Sequence, residues 1–300
     1  MFKKSRYLLF FFLNFLTASV YLQGLTNEID KENKEDEPPS IGNFALPSSQ
    51  QPYGLIAFGG NVIDSSEVQL FFFADDFKGK NKIIIDLIPS VLYGITDNCS
   101  IFFNFPFTPE LRDGNQKSSG LEDFFVQVEY AFYNKKTSYY VDQATIVGNI
   151  SFPTGSIRKN PQTGFGSSSF FLGGVYSRMM VDWFIFTSHG AILTTYDRKN
   201  KIGEQFLYQF GFGRNIPSPY GWIYAWILEI DGQYSKKNRI HGTIDSNSGG
   251  NFILATPSLW ISSKYLLFQF GVSIPINQNL FGKQNKFDYA LNLNFAWSFY

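Results

Sequence analysis

Apolar and polar residues alternate with a period of two over most of this chain, in runs of ten to fourteen residues. The clearest run is the last one, 287–300 (FDYALNLNFAWSFY). Phe287, Tyr289, Leu291, Leu293, Phe295, Trp297 and Phe299 share one parity, and Asp288, Ala290, Asn292, Asn294, Ala296 and Ser298 share the other. Successive strand side chains point to opposite sides, so this pattern predicts a strand with one apolar and one wet surface. A tilted strand needs only roughly 9–11 residues to cross a bilayer, and this one is longer. Tyr300 follows Phe299 out of phase with the apolar face.

Similar runs predict about twelve strands, at 54–63, 82–93, 99–107, 121–133, 140–152, 167–179, 183–196, 204–216, 222–233, 251–261, 265–274 and 287–300. The joints alternate in length. Long polar segments fall at 64–81, 108–120, 153–166, 197–203, 234–250 and 275–286, and short ones at 94–98, 134–139, 180–182, 217–221 and 262–264. Hairpins that cross a membrane sort their connections in this way, with short periplasmic turns and longer outer loops. A secreted β-sandwich, the non-membrane alternative, has no reason to do so. The expected fold is therefore all-β, an antiparallel transmembrane β-barrel of about 12 strands with both termini periplasmic. Two places fit less well: Glu67–Phe73 is strand-like yet falls in the first long loop, and Pro257 lies inside a strand, where a bulge or kink is expected.

The faces predict what meets lipid. Phe206, Tyr208, Phe210 and Phe212 oppose Gln205, Gln209, Gly211 and Gly213, while Trp222, Tyr224, Trp226, Leu228 and Ile230 oppose Glu229, Asp231 and Gln233. Phe124, Val126, Val128, Tyr130 and Phe132 oppose Asp123, Gln127 and Glu129. A charge on the lipid face costs about 2–4 kcal/mol near the midplane, so the acids should point inward. Asp86, Asp123, Gln127, Glu129, Gln205, Gln209, Glu229 and Asp231 are thus the candidate lumen-lining residues. They either line a passage for a polar ligand or satisfy one another in a filled barrel.

Composition agrees with this picture: 44% hydrophobic and 19% aromatic content, interleaved with polar residues, gives only a slightly negative mean hydropathy. Residues 1–24 read as a signal peptide, with Lys3, Lys4 and Arg6 ahead of an apolar run. Residues 25–50, dense in both charge signs at 27–40, read as a flexible periplasmic leader, and 51–300 as the barrel. Lys plus Arg equals Asp plus Glu at 25 each, which gives no sign of a nucleic-acid partner. Cys99 is the single cysteine, so neither an internal disulfide nor a thiolate metal cluster is available.

Catalytic patterns are missing from the sequence. There is no H-E-x-x-H, phosphate-binding Gly loop or G-x-S-x-G, and neither a metal nor another cofactor is expected. Ser188 and His189 are neighbours, so in a strand they face opposite ways and cannot act as a nucleophile–base pair. Asp75 and Asp76 fall in a predicted loop and are read as solvated.

Several segments resemble the MetA-pathway phenol-degradation family of outer-membrane proteins. They are PSVLYGITDNCSIFFNFPF, GLEDFFVQVEYAF, GNISFPTGS, TGFGSSSFFLGGVYSR and YQFGFGRN, in that order, and the resemblance covers about residues 47–300. It departs at Val128, where the family carries a basic residue. The resemblance implies an outer-membrane barrel that passes small, often hydrophobic molecules. The aromatic end is similar to the signal that barrel-assembly machinery reads, which makes Phe299 and Tyr300 the candidate assembly signal. The expected function is passive passage of small molecules, hydrophobic or aromatic ones among them, with outer-membrane lipids and the assembly machinery as partners. A structural or adhesive barrel presenting its outer loops, and a membrane-embedded hydrolase using His189, are the rivals.

Overall fold

The computed structural model describes residues 37–300, so the expected signal peptide and the first part of the expected leader lie outside the described residues. Sixteen strands follow in order: β1 Val68–Gly79, β2 Lys82–Thr96, β3 Cys99–Asn104, β4 Phe107–Asp113, β5 Gln116–Leu121, β6 Phe125–Lys136, β7 Tyr140–Ser151 and β8 Ser169–Met180. Then come β9 Trp183–Thr194, β10 Gln205–Ile216, β11 Trp222–Ser235, β12 Arg239–Ile240, β13 Thr243–Ile244, β14 Gly250–Ser263, β15 Leu266–Leu280 and β16 Tyr289–Phe299. Twelve of them form an antiparallel wall that closes on itself, because β1 pairs with both β2 and β16. Closure removes the free edges that an open sheet would present to lipid.

The alternation of joints is as expected in part, with two corrections: residues 108–120 are not a long loop but β4 and β5 joined by a two-residue turn at 114–115, and the first strand lies later than expected. Residues 54–63 do not form a strand, and the wall starts at Val68, so the 64–81 region is mostly β1 followed by a two-residue turn at 80–81. The Glu67–Phe73 stretch was the true sign of the first strand. Asp75 and Asp76 accordingly sit within β1, not in a loop, and Asn292 donates to Asp75 at 2.7 Å. Pro257 sits in β14 opposite Leu228; its strand has a register shift at Ile253/Leu254, and its pairing to β15 lapses at Thr256–Pro257.

The third wall strand is split. β3 pairs with the lower half of β2 and β4 with its upper half, interrupted at Phe105–Pro106, where proline cannot donate to the ladder. The fourth is split too, because β5 lies on β4 and β6 on β3, with a break at 122–124. The far edge of β5 has no strand partner among the described residues.

The outside of the wall carries the apolar parity, with Phe210, Leu228, Leu259 and Trp297 all exposed on it. The inside is not uniformly polar. Toward the short-turn end it holds a packed cluster that includes Phe71, Leu92, Phe102, Phe184, Ile223 and Trp260. A hydrophobic core inside a barrel requires something apolar at its centre, and here that is residues 43–63. Asn43 and Gln50 on two short 3-10 turns are fully buried, and Leu46, Tyr53 and Ala57 pack on the cluster. Residues 43–50 are thus docked inside the wall, which itself starts at Val68.

Small residues on the inner face make room for these rings. A Cβ at Gly211 would run into the ring of Phe186, and one at Gly213 into that of Phe184. Gly211→Ala should therefore destabilise the barrel by about 1–3 kcal/mol, as overpacking does. Its urea midpoint in lipid vesicles would fall, and an unchanged midpoint would place the Phe186 ring elsewhere.

Candidate functional site

The plug is held by the very carboxylates and amides that the strand patterns point inward. Residues 51–63 (QPYGLIAFGGNVI) carry no charge, so their backbone supplies the polar contacts. Glu229 on β11 accepts from three consecutive amides, Leu55 N–H at 2.6 Å, Ile56 at 3.1 Å and Ala57 at 3.1 Å. Gln209 on β10 accepts from Phe58 N–H at 3.2 Å and from the Ser188 hydroxyl at 2.8 Å, and donates to Asp231 at 3.0 Å. Glu129 on β6 accepts from the backbone and side-chain nitrogens of Asn61, both at 2.9 Å, and from Gln127 at 2.7 Å.

This arrangement answers the cost of burying charge. None of Asp86, Asp123, Glu129, Glu229 and Asp231 has an ion-pair partner among the described residues. Glu129 and Glu229 are fully buried. A buried carboxylate without a cation is tolerable when several N–H dipoles converge on it, and short charge-assisted bonds supply that compensation. Glu129, Gln209 and Glu229 therefore grip the plug, while Asp231 is bonded within the wall, accepting from Gln209 at 3.0 Å and Thr256 at 3.3 Å.

The remaining residues divide by height. Asp86, Asp123 and Gln127 border a cavity of about 530 Å³ above the plug, whose wall is otherwise largely apolar, with Phe58, Ile84, Phe125 and Phe171 among its lining. Asp123 is already occupied, accepting from Gly155 N–H at 2.9 Å and Phe165 N–H at 2.7 Å, so it anchors the 152–168 loop. Asp86 lies opposite Asp75 in register and faces the cavity with Glu122, which the sequence reading did not single out. Gln205 sits higher still and accepts from Gln233 at 2.9 Å. The cavity borders the wall where it is broken, since Pro106 and Glu122 line it.

The strand ends are equally specific. Phe299 is 43% exposed on the outer face of β16. Tyr300 turns away; its hydroxyl donates to the Lys264 carbonyl at 3.0 Å and shares a 3.2 Å hydrogen bond with Ser49 of the plug. Ser188 is buried and His189 lies on the opposite, outer face between Phe206 and Phe210, so the two stand on different sides of the wall.

No protein-family model and no curated protein sequence matches the chain, so the resemblance to the MetA-pathway family rests on its short motifs alone. Solved structures do match. The COG4313 outer membrane channel from Pseudomonas putida F1 superposes with a TM-score of 0.65 at 13% identity, covering 83% of this chain and 99% of that one. The NanC porin gives 0.48 at 10% identity over 76% and 98%, and the KdgM porin 0.43 at 8% over 77% and 99%. At such identities the likeness is one of architecture: this chain has the closed twelve-stranded fold of an outer-membrane β-barrel.

Proposed function

We propose that the protein is an outer-membrane channel that passes small molecules with substantial apolar surface, that it is not an enzyme, and that both of its termini face the periplasm. The observation that carries this reading is the apolar cavity of about 530 Å³ in the outer half of a barrel whose lower half is plugged. Most of the exposed wall of that cavity is apolar, with Asp86, Glu122 and Asp123 among its polar lining, which suits a compact hydrophobic or aromatic molecule that carries a polar group. Below it the axial path is filled, so passage requires the plug to shift or the solute to leave where the β3/β4 and β5/β6 strands are broken. The orientation is supported by the connections 97–98, 137–139, 181–182, 217–221 and 264–265, all short and all at the end where β16 finishes. The long connections 152–168, 195–204, 236–249 and 281–288 lie at the other end, together with the two tight turns 80–81 and 114–115. Phe299, outward and in phase, is the better candidate for the assembly signal, because Tyr300 is engaged with the plug and the 264 turn.

Planar-bilayer recording combined with flux of small aromatic solutes into proteoliposomes tests the channel. The expected result is a low conductance together with flux of the aromatic solutes above that of empty liposomes. A correctly folded barrel that supports neither would overturn the reading.

A further inference from the structure

The formal balance of 25 basic and 25 acidic residues conceals a separation along the barrel axis. Unpaired acids face the interior, whereas the long-loop rim is rich in lysine and arginine. The densest part of that rim is built from two connections, 195–204 between β9 and β10 and 236–249 between β11 and β14, in which Arg198, Lys199, Lys236, Lys237 and Arg239 are all exposed. The two loops are stitched into one platform. Lys201 and Arg239 exchange backbone hydrogen bonds at 2.9 and 2.8 Å, Gly242 N–H donates to the Lys199 carbonyl at 2.9 Å, and His241 N–H donates to the Asn200 side chain at 2.8 Å. Arg198 and His241 adopt left-handed φ of 52° and 51°, a conformation non-glycine residues keep only where the surroundings impose it.

The local acids do not neutralise the platform. Glu204 takes up two cations, Lys201 and Lys236, both at 2.7 Å, and these hold its carboxyl down to about 2. Lys237 lies over the Phe281 ring at 5.3 Å. Arg198, Lys199 and Arg239 have no ion-pair partner among the described residues, although Asp197 and Asp245 stand in the same loops. Between the cations, the β12–β13 hairpin exposes Ile240 and Ile244, the latter 59% accessible. On the outer wall at the ends of the flanking strands stand the exposed rings of Tyr196, Phe206 and Tyr234, the aromatic residues that mark the level of lipid headgroups.

We infer that this platform binds the phosphate groups of a phosphorylated glycolipid in the surrounding outer leaflet. Free guanidinium and ammonium groups match phosphate. The adjacent isoleucines and the aromatic rings beneath favour a phosphate carried on a lipid over a soluble one. Preorganisation by cross-loop hydrogen bonds lowers the ordering cost of binding. The inference uses the orientation proposed above but not the transport reading, and its test is independent of permeation.

The test is native mass spectrometry of the full-length barrel in detergent, titrated with diphosphorylated lipid A and with its dephosphorylated form. The wild type should retain the phosphorylated lipid selectively and lose it as salt rises. The Arg198→Ala/Lys199→Ala/Arg239→Ala variant should bind about 100-fold more weakly, given the attraction of roughly one decade or less per surface cation. A rim variant matched in charge, Lys80→Ala/Lys117→Ala/Arg158→Ala, should bind as the wild type does. Heat-modifiable gel mobility verifies folding of both variants, and the salt series on the wild type stands whether or not a variant folds. Equal retention of the two lipids, binding insensitive to salt, an unaffected triple variant, or displacement by millimolar inorganic phosphate would each overturn the assignment.

Discussion

Glu229→Ala should release the plug. Its carboxylate is fully buried and is the sole side-chain acceptor for three successive amides, at 2.6, 3.1 and 3.1 Å. Bonds to a charged acceptor contribute about 1.5–3 kcal/mol each, and donors left buried without a partner cost about 1–3 kcal/mol each. Even if water replaces most of that, a loss of about 3 kcal/mol raises the undocked fraction by about two decades. The expected result is a jump in the frequency and size of conductance steps, together with protease cleavage within residues 43–63 that the wild type resists. Glu229→Gln keeps an acceptor oxygen but not the charge, so it should fall between the two. If Glu229→Ala conducts and resists protease as the wild type does, the plug is held by its apolar packing alone.

The second large effect concerns the outside. Phe295 lies at the middle of β16, 39% exposed, with Phe72 and Phe268 as its register partners on either side. Phe295→Arg places a guanidinium on that face, at a cost of about 2–4 kcal/mol near the bilayer midplane. The folded, fast-migrating band should weaken or vanish, and urea unfolding in vesicles should shift to lower denaturant. Asn294→Ala, one residue away but turned inward, should keep the folded band. A Phe295→Arg barrel as stable as the wild type would mean that this face does not meet lipid, and would revive a water-soluble reading of the same strands.

The two substitutions also mark what a one-dimensional reading can reach. The faces of 205–216, 222–233 and 287–300 were legible because lipid imposes a strict period of two, and Phe210, Leu228 and Phe295 all lie outside as that period requires. Glu129 and Glu229 were legible as inward-facing for the same reason. Their task was not, because it depends on contacts to Asn61 and Leu55, which lie 68 and 174 residues away along the chain. Residues 54–63 were misread as a strand because a segment that fills an apolar interior needs the same composition as one that lines it, and only its hydrogen-bond partners tell the two apart. The break in the third strand had a visible sign in Pro106, whereas the break at 122–124 had none in Glu122 itself.

The tie between Tyr300 and Ser49 bears on the order of events during biogenesis. Gln50 and Ser298 share a hydrogen bond of 2.7 Å, and Ser49 meets the last residue of the chain, so the socket for the N-terminal segment is completed by the C-terminal strand. A nascent barrel lacking β16 has no finished socket. A segment synthesised ahead of every wall strand is thus the piece seated last, and a barrel can be stoppered in its final form only once its seam has been sewn.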